Sequence, residues 1–320
     1  MLFHPTGDQR DLIDEAFARP LDDLLPLERL HKANGAEPWD DLAGLGLFGI
    51  AAPEAMGGVG LSAVEEMLLA VELGKRLAGP QVTATLMAFH CADADLQTRI
   101  AIGTARVAPA LIVGDELHLH AAEGADHILV RKGGEAGLID AAALGNRRLL
   151  DGEHWTATIE AVALPPVIAW ASAEAVRRVR LIEAAALGGA AQRACEMGVE
   201  YAKIREQFGH PIGGFQAVKH HCANMAMAAR AATDQASFAA VAIDQSRADA
   251  AFQVEAALLL AIDAALANAR ANVQIHGGMG FSEEADPHLI VKRAHLLIEA
   301  AGGSEAATER VARADPPMRH

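Results

Sequence analysis

Two histidine pairs, His118/His120 and His220-His221, are the first side chains whose spacing raises metal ligation. No carboxylate or cysteine completes a familiar ligand set around either pair, so no metal is expected. Cys91, Cys195 and Cys222 form no CxxC pair and stand in apolar or helical surroundings, which reads as reduced core thiols. The chain carries no nucleophile elbow, P-loop or dinucleotide fingerprint. Gly277-Gly278-Met279-Gly280 looks like a phosphate loop, but it follows a helix rather than a strand and reads as a helix C-terminus and turn. Arg205 carries the planar fork of donors that suits phosphate oxygens. Taken by itself it is an arginine on a helix face beside a turn.

Three textures of sequence must position these groups. From residue 8 to about 102 the pattern is helical, with Ser62 and Glu65 in capping-box spacing ahead of a helix that runs to about Arg76. Gly57-Gly58-Val59-Gly60 reads as the turn before it. From about 104 to 166 the period changes to that of short strands, expected at 107–113, 117–121, 127–131 and 156–164. Gly114-Asp115, Gly133-Gly134 and Asp151-Gly152 separate them. From Trp170 onward long Ala/Leu-rich segments return at 173–205, 215–246 and 248–275, joined by short links that suit antiparallel packing. Glu196, Glu200, Lys203 and Arg205 read as a solvated face. The Asp315-Pro316-Pro317 tail reads as a frayed end. The expected fold is therefore mainly α with a small β domain: an N-terminal helical domain over 1–104, a reduced middle β domain over 105–168 and a C-terminal helical bundle over 169–320.

Composition agrees. The chain has 320 residues, 52% hydrophobic and only 4% aromatic, which favours packed helices over a β-sandwich. A formal net charge of -15 argues against nucleic acid as a partner while leaving room for a small anionic ligand. The most apolar stretch, 256–273, is interrupted by Asp263, Asn268 and Arg270 and reads as a buried helix, not a membrane span. With no basic start and apolar run at the N-terminus, a cytoplasmic location is expected.

Two longer segments carry more information. One runs from Tyr201 through Arg205-Glu206-Gln207-Phe208-Gly209 and Gly213-Gly214-Phe215-Gln216 to His220. The other is Gln274-Ile275-His276-Gly277-Gly278-Met279-Gly280-Phe281. Both resemble signatures of the acyl-CoA dehydrogenase family, in order. Gly189-Ala190-Ala191-Gln192-Arg193-Ala194 fits the same pattern, and 45–60 resembles that family's N-terminal Gly-Leu-x-Gly-Ile-x-x-Pro-Glu-x-x-Gly-Gly region. The resemblance implies FAD shared across a subunit interface, with an acyl-CoA as substrate. It assigns Arg205 to the pyrophosphate, Phe208 to an apolar wall, Gln216 and Gln274 to amide contacts, and Gly277 and Gly278 to close backbone approach. Arg180 matches a family arginine near the acyl site.

The chain departs from that pattern where the chemistry would be. The family abstracts an α-proton with a carboxylate and passes the β-hydrogen to flavin as hydride. Gly302 occupies the aligned base position, and a three-residue slip would place Glu299 or Glu305 there. A minority of the family use a base at the position of Val179. Glu183, one turn on, is a relocated candidate that also reads as a helix-surface glutamate. The family's Thr-Glu-Pro-x-x-Gly-Ser and Lys-x-Trp-Ile-Thr segments, which hold the isoalloxazine, are not visible between 104 and 166. This asymmetry resembles the smaller, non-catalytic subunit of bacterial heterotetrameric, steroid-type acyl-CoA dehydrogenases. It implies a longer catalytic subunit as partner. Two other readings stand: a self-sufficient homo-oligomeric dehydrogenase with a relocated Glu base, and a non-enzymatic scaffold subunit.

Overall fold

In the computed structural model, residues 4–31, 37–113, 116–132, 134–144, 147–153, 156–161 and 169–314 are described. The 315–317 tail, Gly114-Asp115, Gly133 and the end of the expected strand at 162–164 lie outside them.

Among the described residues the α-helices of the first part are α1 (Gly7–Ile13), α2 (Arg19–Leu24), α3 (Trp39–Gly44), α4 (Ala63–Lys75), α5 (Pro80–Ala88) and α6 (Ala94–Ala101). The helix α4 starts where the capping box requires. Ser62 Oγ accepts from the Val64 amide at 3.2 Å, and a Glu65 carboxylate oxygen accepts from the Ser62 amide at 3.0 Å. Asp244, from the far bundle, also accepts from the Ala63 amide at 2.9 Å, so the start of α4 is pinned at long range.

The sheet follows, with β1 (Val107–Val113), β2 (Glu116–His120), β3 (His127–Lys132), β4 (Glu135–Asp140), β5 (Arg147–Glu153), β6 (Thr156–Ala161) and β7 (Ala169–Trp170) in the order β5-β6-β2-β1-β3-β4-β7. Among the described residues β1 and β3 run parallel and the other pairings of this sheet are antiparallel. One face, including Val107, Leu129 and Leu138, joins the main core, and Ala110, Ile128 and Val130 form a second cluster on the other. Strands β4, β5 and β7 were not expected. In β5 the pair read as a turn, Asp151-Gly152, sits inside the strand beside a register irregularity at Leu149/Asp151.

The C-terminal half is α7 (Ala173–Ile204), a short hairpin of β8 (Glu206–Gln207) and β9 (His210–Pro211), then α8 (Gln216–Asp244), α9 (Ala250–His276), α10 (Pro287–Ala300) and α11 (Gly303–Arg313). The central rod is α7, buried without a break from Val179 to Ala191. It crosses α4 backbone to backbone: a Cβ added at Gly189 would overlap the Val71 carbonyl, and one at Gly74 the Ala186 carbonyl. Buried Asn268 of α9 donates to the Ala191 and Met225 carbonyls, each at 2.9 Å, tying three helices together. The stretch 250–281 is long and apolar enough to cross a membrane by length and composition, yet Val254, Leu258, Ala261, Ile262 and Ala265 are buried in the main core.

Candidate functional site

The two long sequence motifs meet at one end of the bundle. Tyr201, near the end of α7, stacks on His276, the last residue of α9, with ring centroids 4.0 Å apart. Beneath them Asn272 donates to Met197 Sδ at 3.3 Å, and Tyr201, Ile212 and Val218 pack on a cluster holding Met197, Met225 and Ile275. The chain leaves α7 at Arg205, whose carbonyl accepts from the Ile212 amide at 2.7 Å and closes the β8–β9 hairpin. Phe208 and Gly209 form its tip, both left-handed with φ of 52° and 81°, as a two-residue hairpin turn demands. At the end of α9 Gly277 caps the helix with φ 61°, and 277–281 makes a turn of 3₁₀ helix, as the helix-end reading anticipated.

What distinguishes this end is what it leaves in solvent. Arg205, Phe208, Gln216, Gln274, Gly277 and Gly278 are all exposed. No ion pair joins Arg205 to any described residue, and a Cβ on Gly277 or Gly278 would meet nothing within 4 Å, so backbone approach there is open. Around them Ile204 (77%), Phe208 (90%) and Phe281 (79%) present large apolar side chains to water, together with Met279. A monomer gains nothing from that arrangement; a surface that another molecule covers would. Ile204, Met279 and Phe281 lie within the two motifs but were given no role of their own, because apolar residues at helix ends are ordinarily core.

The carboxylate candidates scatter. Gly302 sits at the N-cap of α11 with φ 90°, a backbone conformation that favours glycine and strains a glutamate. Val179 is fully buried. Glu299 lies on α10, half-exposed, its carboxylate 3.9 Å from His120 Nε2. Glu305 is exposed in the first turn of α11.

Glu183 corrects the sequence reading. It is not on a helix surface: it is only 4% exposed, because α7 has no solvated face over this stretch, and its carboxylate pairs with Arg131 of β3 at 3.2 Å. Burial pushes the Glu183 carboxyl above the usual carboxylate range, against the opposing pull of Arg131, Arg180 and Arg310. Arg180 is also enclosed. It donates to the Gly134 carbonyl and to Glu255, and Glu255 in turn accepts from Arg310 Nε at 3.0 Å. Burial and the neighbouring charges of Arg310 and Arg131 push Arg180 down to about 9, which leaves it charged at neutral pH. Arg131, Glu255 and Arg310 escaped the sequence reading. Glu255, an acid at the edge of the most apolar helix, was the signal that could have revealed a buried ion network.

His120 is buried, with neither ring nitrogen hydrogen-bonded to a described residue; burial depresses its pKa, and His118 adds to that while Glu299 opposes it. No group of three or more metal-ligating side chains is found among the described residues.

The chain has relatives among known proteins. The family model described as acyl-CoA dehydrogenase, N-terminal domain, matches residues 6–98, and that of the C-terminal domain matches residues 171–314. The acyl-CoA dehydrogenase FadE34 of Mycobacterium tuberculosis is 33% identical over 290 residues, 84% of this chain and 41% of that protein, so the chain spans less than half the length of that relative. Acyl-CoA dehydrogenase IpdE2 of the same organism is 30% identical over 257 residues, 78% of this chain and 77% of that protein. Among solved structures, the ChsE4-ChsE5 complex from Mycobacterium tuberculosis superposes with a TM-score of 0.77 at 22% identity, covering 98% of each chain, a likeness of fold. With both family domains matched in order across more than half its length, the chain belongs to the acyl-CoA dehydrogenase family.

Proposed function

We propose that this chain is a subunit of an FAD-dependent dehydrogenase of acyl-CoA thioesters, and that it completes the FAD site of a longer catalytic subunit rather than running the reaction on its own flavin. The observation that carries this reading is the contrast between its two ends. Arg205, which has no ion pair among the described residues, stands in solvent with Gln216, Gln274, Gly277 and Gly278, amid exposed Ile204, Phe208 and Phe281. The base position is a left-handed glycine, and the adjacent interior is filled by paired charges.

The residues fit the cofactor as an interfacial ligand. The Arg205 guanidinium would take pyrophosphate oxygens with two parallel donors. The glutamine amides would meet polar edges of the nucleotide, and the glycines would let its backbone contacts approach closely. Phe208 and Phe281 would exclude water from the joint. FAD, when bound, accepts the β-hydrogen of the thioester as hydride. The α-proton requires a carboxylate held dry beside the thioester, and that carboxylate comes from the partner. The division into an N-terminal helical domain, a middle β domain and a C-terminal bundle follows the same reading, with the bundle as the lending part. A bulky acyl group and a cytoplasmic location belong to this proposal too.

The test is flavin counting. The isolated chain is expected to purify with little FAD, and a co-purified complex to hold flavin bound jointly by the two kinds of chain. Stoichiometric flavin with a normal visible spectrum in the isolated chain would instead establish the homo-oligomeric enzyme. A stable complex devoid of flavin would establish the scaffold.

A further inference from the structure

The three cysteines, alike in sequence, end in two different settings. Cys91 is buried, and burial pushes its thiol up to about 11. Cys195 on α7 and Cys222 on α8 are both partly exposed, and they meet across the seam between the two helices. The Cys195 thiol donates to the Cys222 carbonyl, with Sγ 3.9 Å from the oxygen. Burial raises the Cys195 thiol, and the Cys222 thiol adds to that rise, so the two groups lie within electrostatic reach of each other.

Glycines set the spacing of this seam. Gly188, Cys195 and Gly198 follow one another at helical intervals on one face of α7. A Cβ on Gly188 would lie 3.1 Å from Thr233 Cγ2 of α8, and one on Gly198 would lie 3.5 Å from the terminal methyl of Met225 on the same helix. Helices held this close suit a short cross-link, which needs Cα atoms within about 7 Å. The pair also brackets the first sequence motif. Between Cys195 and Cys222 the chain carries Tyr201, Arg205, the β8–β9 hairpin and Gln216.

We propose that Cys195 and Cys222 are a reversible oxidation site, closing an intrachain disulfide that staples α7 to α8 at the base of this segment when a small-molecule disulfide is the oxidant. The thiolate of one cysteine attacks the small disulfide, which forms a mixed disulfide and releases one small thiolate. The second cysteine gives its proton to solvent, and its thiolate displaces the remaining small thiolate from the first. Two protein thiols lose two electrons, and one small disulfide is reduced to two thiols. The site lies within this chain and needs neither flavin nor partner, so it stands or falls apart from the assembly reading.

The experiment exposes the full-length chain to oxidised glutathione, alkylates the remaining thiols and maps the peptides by mass. A bridge between Cys195 and Cys222 is the expected intrachain product, with Cys91 alkylated only after unfolding. The oxidised chain should unfold at a higher temperature than the reduced chain, and a reductant should reverse the shift. Because burial raises both thiols, the bridge should form about tenfold faster on going from about pH 7 to about pH 8, as the thiolate fraction grows. Cys195→Ser and Cys222→Ser should each stop at the mixed disulfide with glutathione, and the wild-type map decides the question even if neither variant folds. Wild-type oxidation that yields only mixed disulfides or cross-linked dimers would overturn the proposal. So would a bridge that includes Cys91, or a native chain left unoxidised after prolonged exposure at alkaline pH.

Discussion

Tyr201 and His276 stack at 4.0 Å and 24°, so the ends of α7 and α9 share one aromatic joint. The joint ties the end of α7, four residues before Arg205, to the end of α9, which carries Gln274 and is capped by Gly277. Tyr201→Leu is expected to cost about 1 kcal/mol of stability, the usual worth of an aromatic pair beyond its area. It should also lower flavin content of the assembled complex, although Tyr201 is not itself assigned to the cofactor. Chemical denaturation and flavin absorbance measure the two effects. Loss of stability with undiminished flavin would disconnect the joint from the site.

Phe208 is a phenylalanine at φ 52°, almost fully in water, at a hairpin tip that asparagine or glycine would occupy with less strain. Its presence serves something other than the stability of the isolated chain. Phe208→Asn should therefore stabilise the lone chain by about 1 kcal/mol and weaken association with a partner roughly tenfold or more, as truncating a central aromatic anchor does. Denaturation midpoints and sedimentation distinguish the outcomes; unchanged assembly would remove Phe208 from the interface.

A pH effect follows from His120. Its pKa is depressed from the ordinary 6.5, chiefly by burial. A depressed pKa means that the unfolded chain takes up the proton first as pH falls, so the stability held above 6.5 is lost as pH drops through the folded value. His276, also depressed by burial, adds the same sign, while the raised carboxyl of Glu183 acts in the opposite sense. The difference between wild type and His120→Gln isolates the one group. Between about pH 7 and pH 5 the variant should lose less stability than wild type. Parallel curves would show that His120 does not titrate with unfolding.

How much of this was legible beforehand depends on the range of the interactions. The helices α7, α8 and α9 came out within a few residues of expectation because their apolar periodicity is local, as did the Ser62–Glu65 cap. The segments around Arg205 and Gly277 were legible as motifs, though not the fact that Ile204, Phe208 and Phe281 face water. Strand β5 was missed because Arg147-Arg148 and Asp151-Gly152 carry charge and turn chemistry that pairing with β6 overrides. The burial of Glu183 was unreadable for a related reason. Its partner Arg131 lies 52 residues away, on a strand that only the folded chain brings alongside α7.

The proposed non-catalytic role carries a kinetic expectation. Glu299→Gln and Glu305→Gln should leave turnover of the complex within a few-fold, whereas removing a true general base costs on the order of 10²–10⁴. Glu183→Gln should behave likewise when turnover is normalised to folded, flavin-loaded complex, because its effect is on the Arg131 pair. Gly302→Glu should create no activity in the lone chain, since the left-handed backbone there strains the new side chain. Abolition of turnover by a single Glu→Gln change with folding and flavin intact would make that residue the base.

If this chain lends Arg205 to a cofactor bed on another subunit, the flavin affinity of the assembled complex depends on that side chain. Arg205 is exposed and has no ion pair among the described residues, so Arg205→Ala should leave the fold undisturbed. Losing a charge-assisted fork worth roughly 1.5–3 kcal/mol should weaken FAD binding about tenfold to hundredfold. Arg205→Lys, which keeps the charge without the fork, should recover part of that loss. Unchanged FAD affinity in both variants would mean that Arg205 does not reach the cofactor.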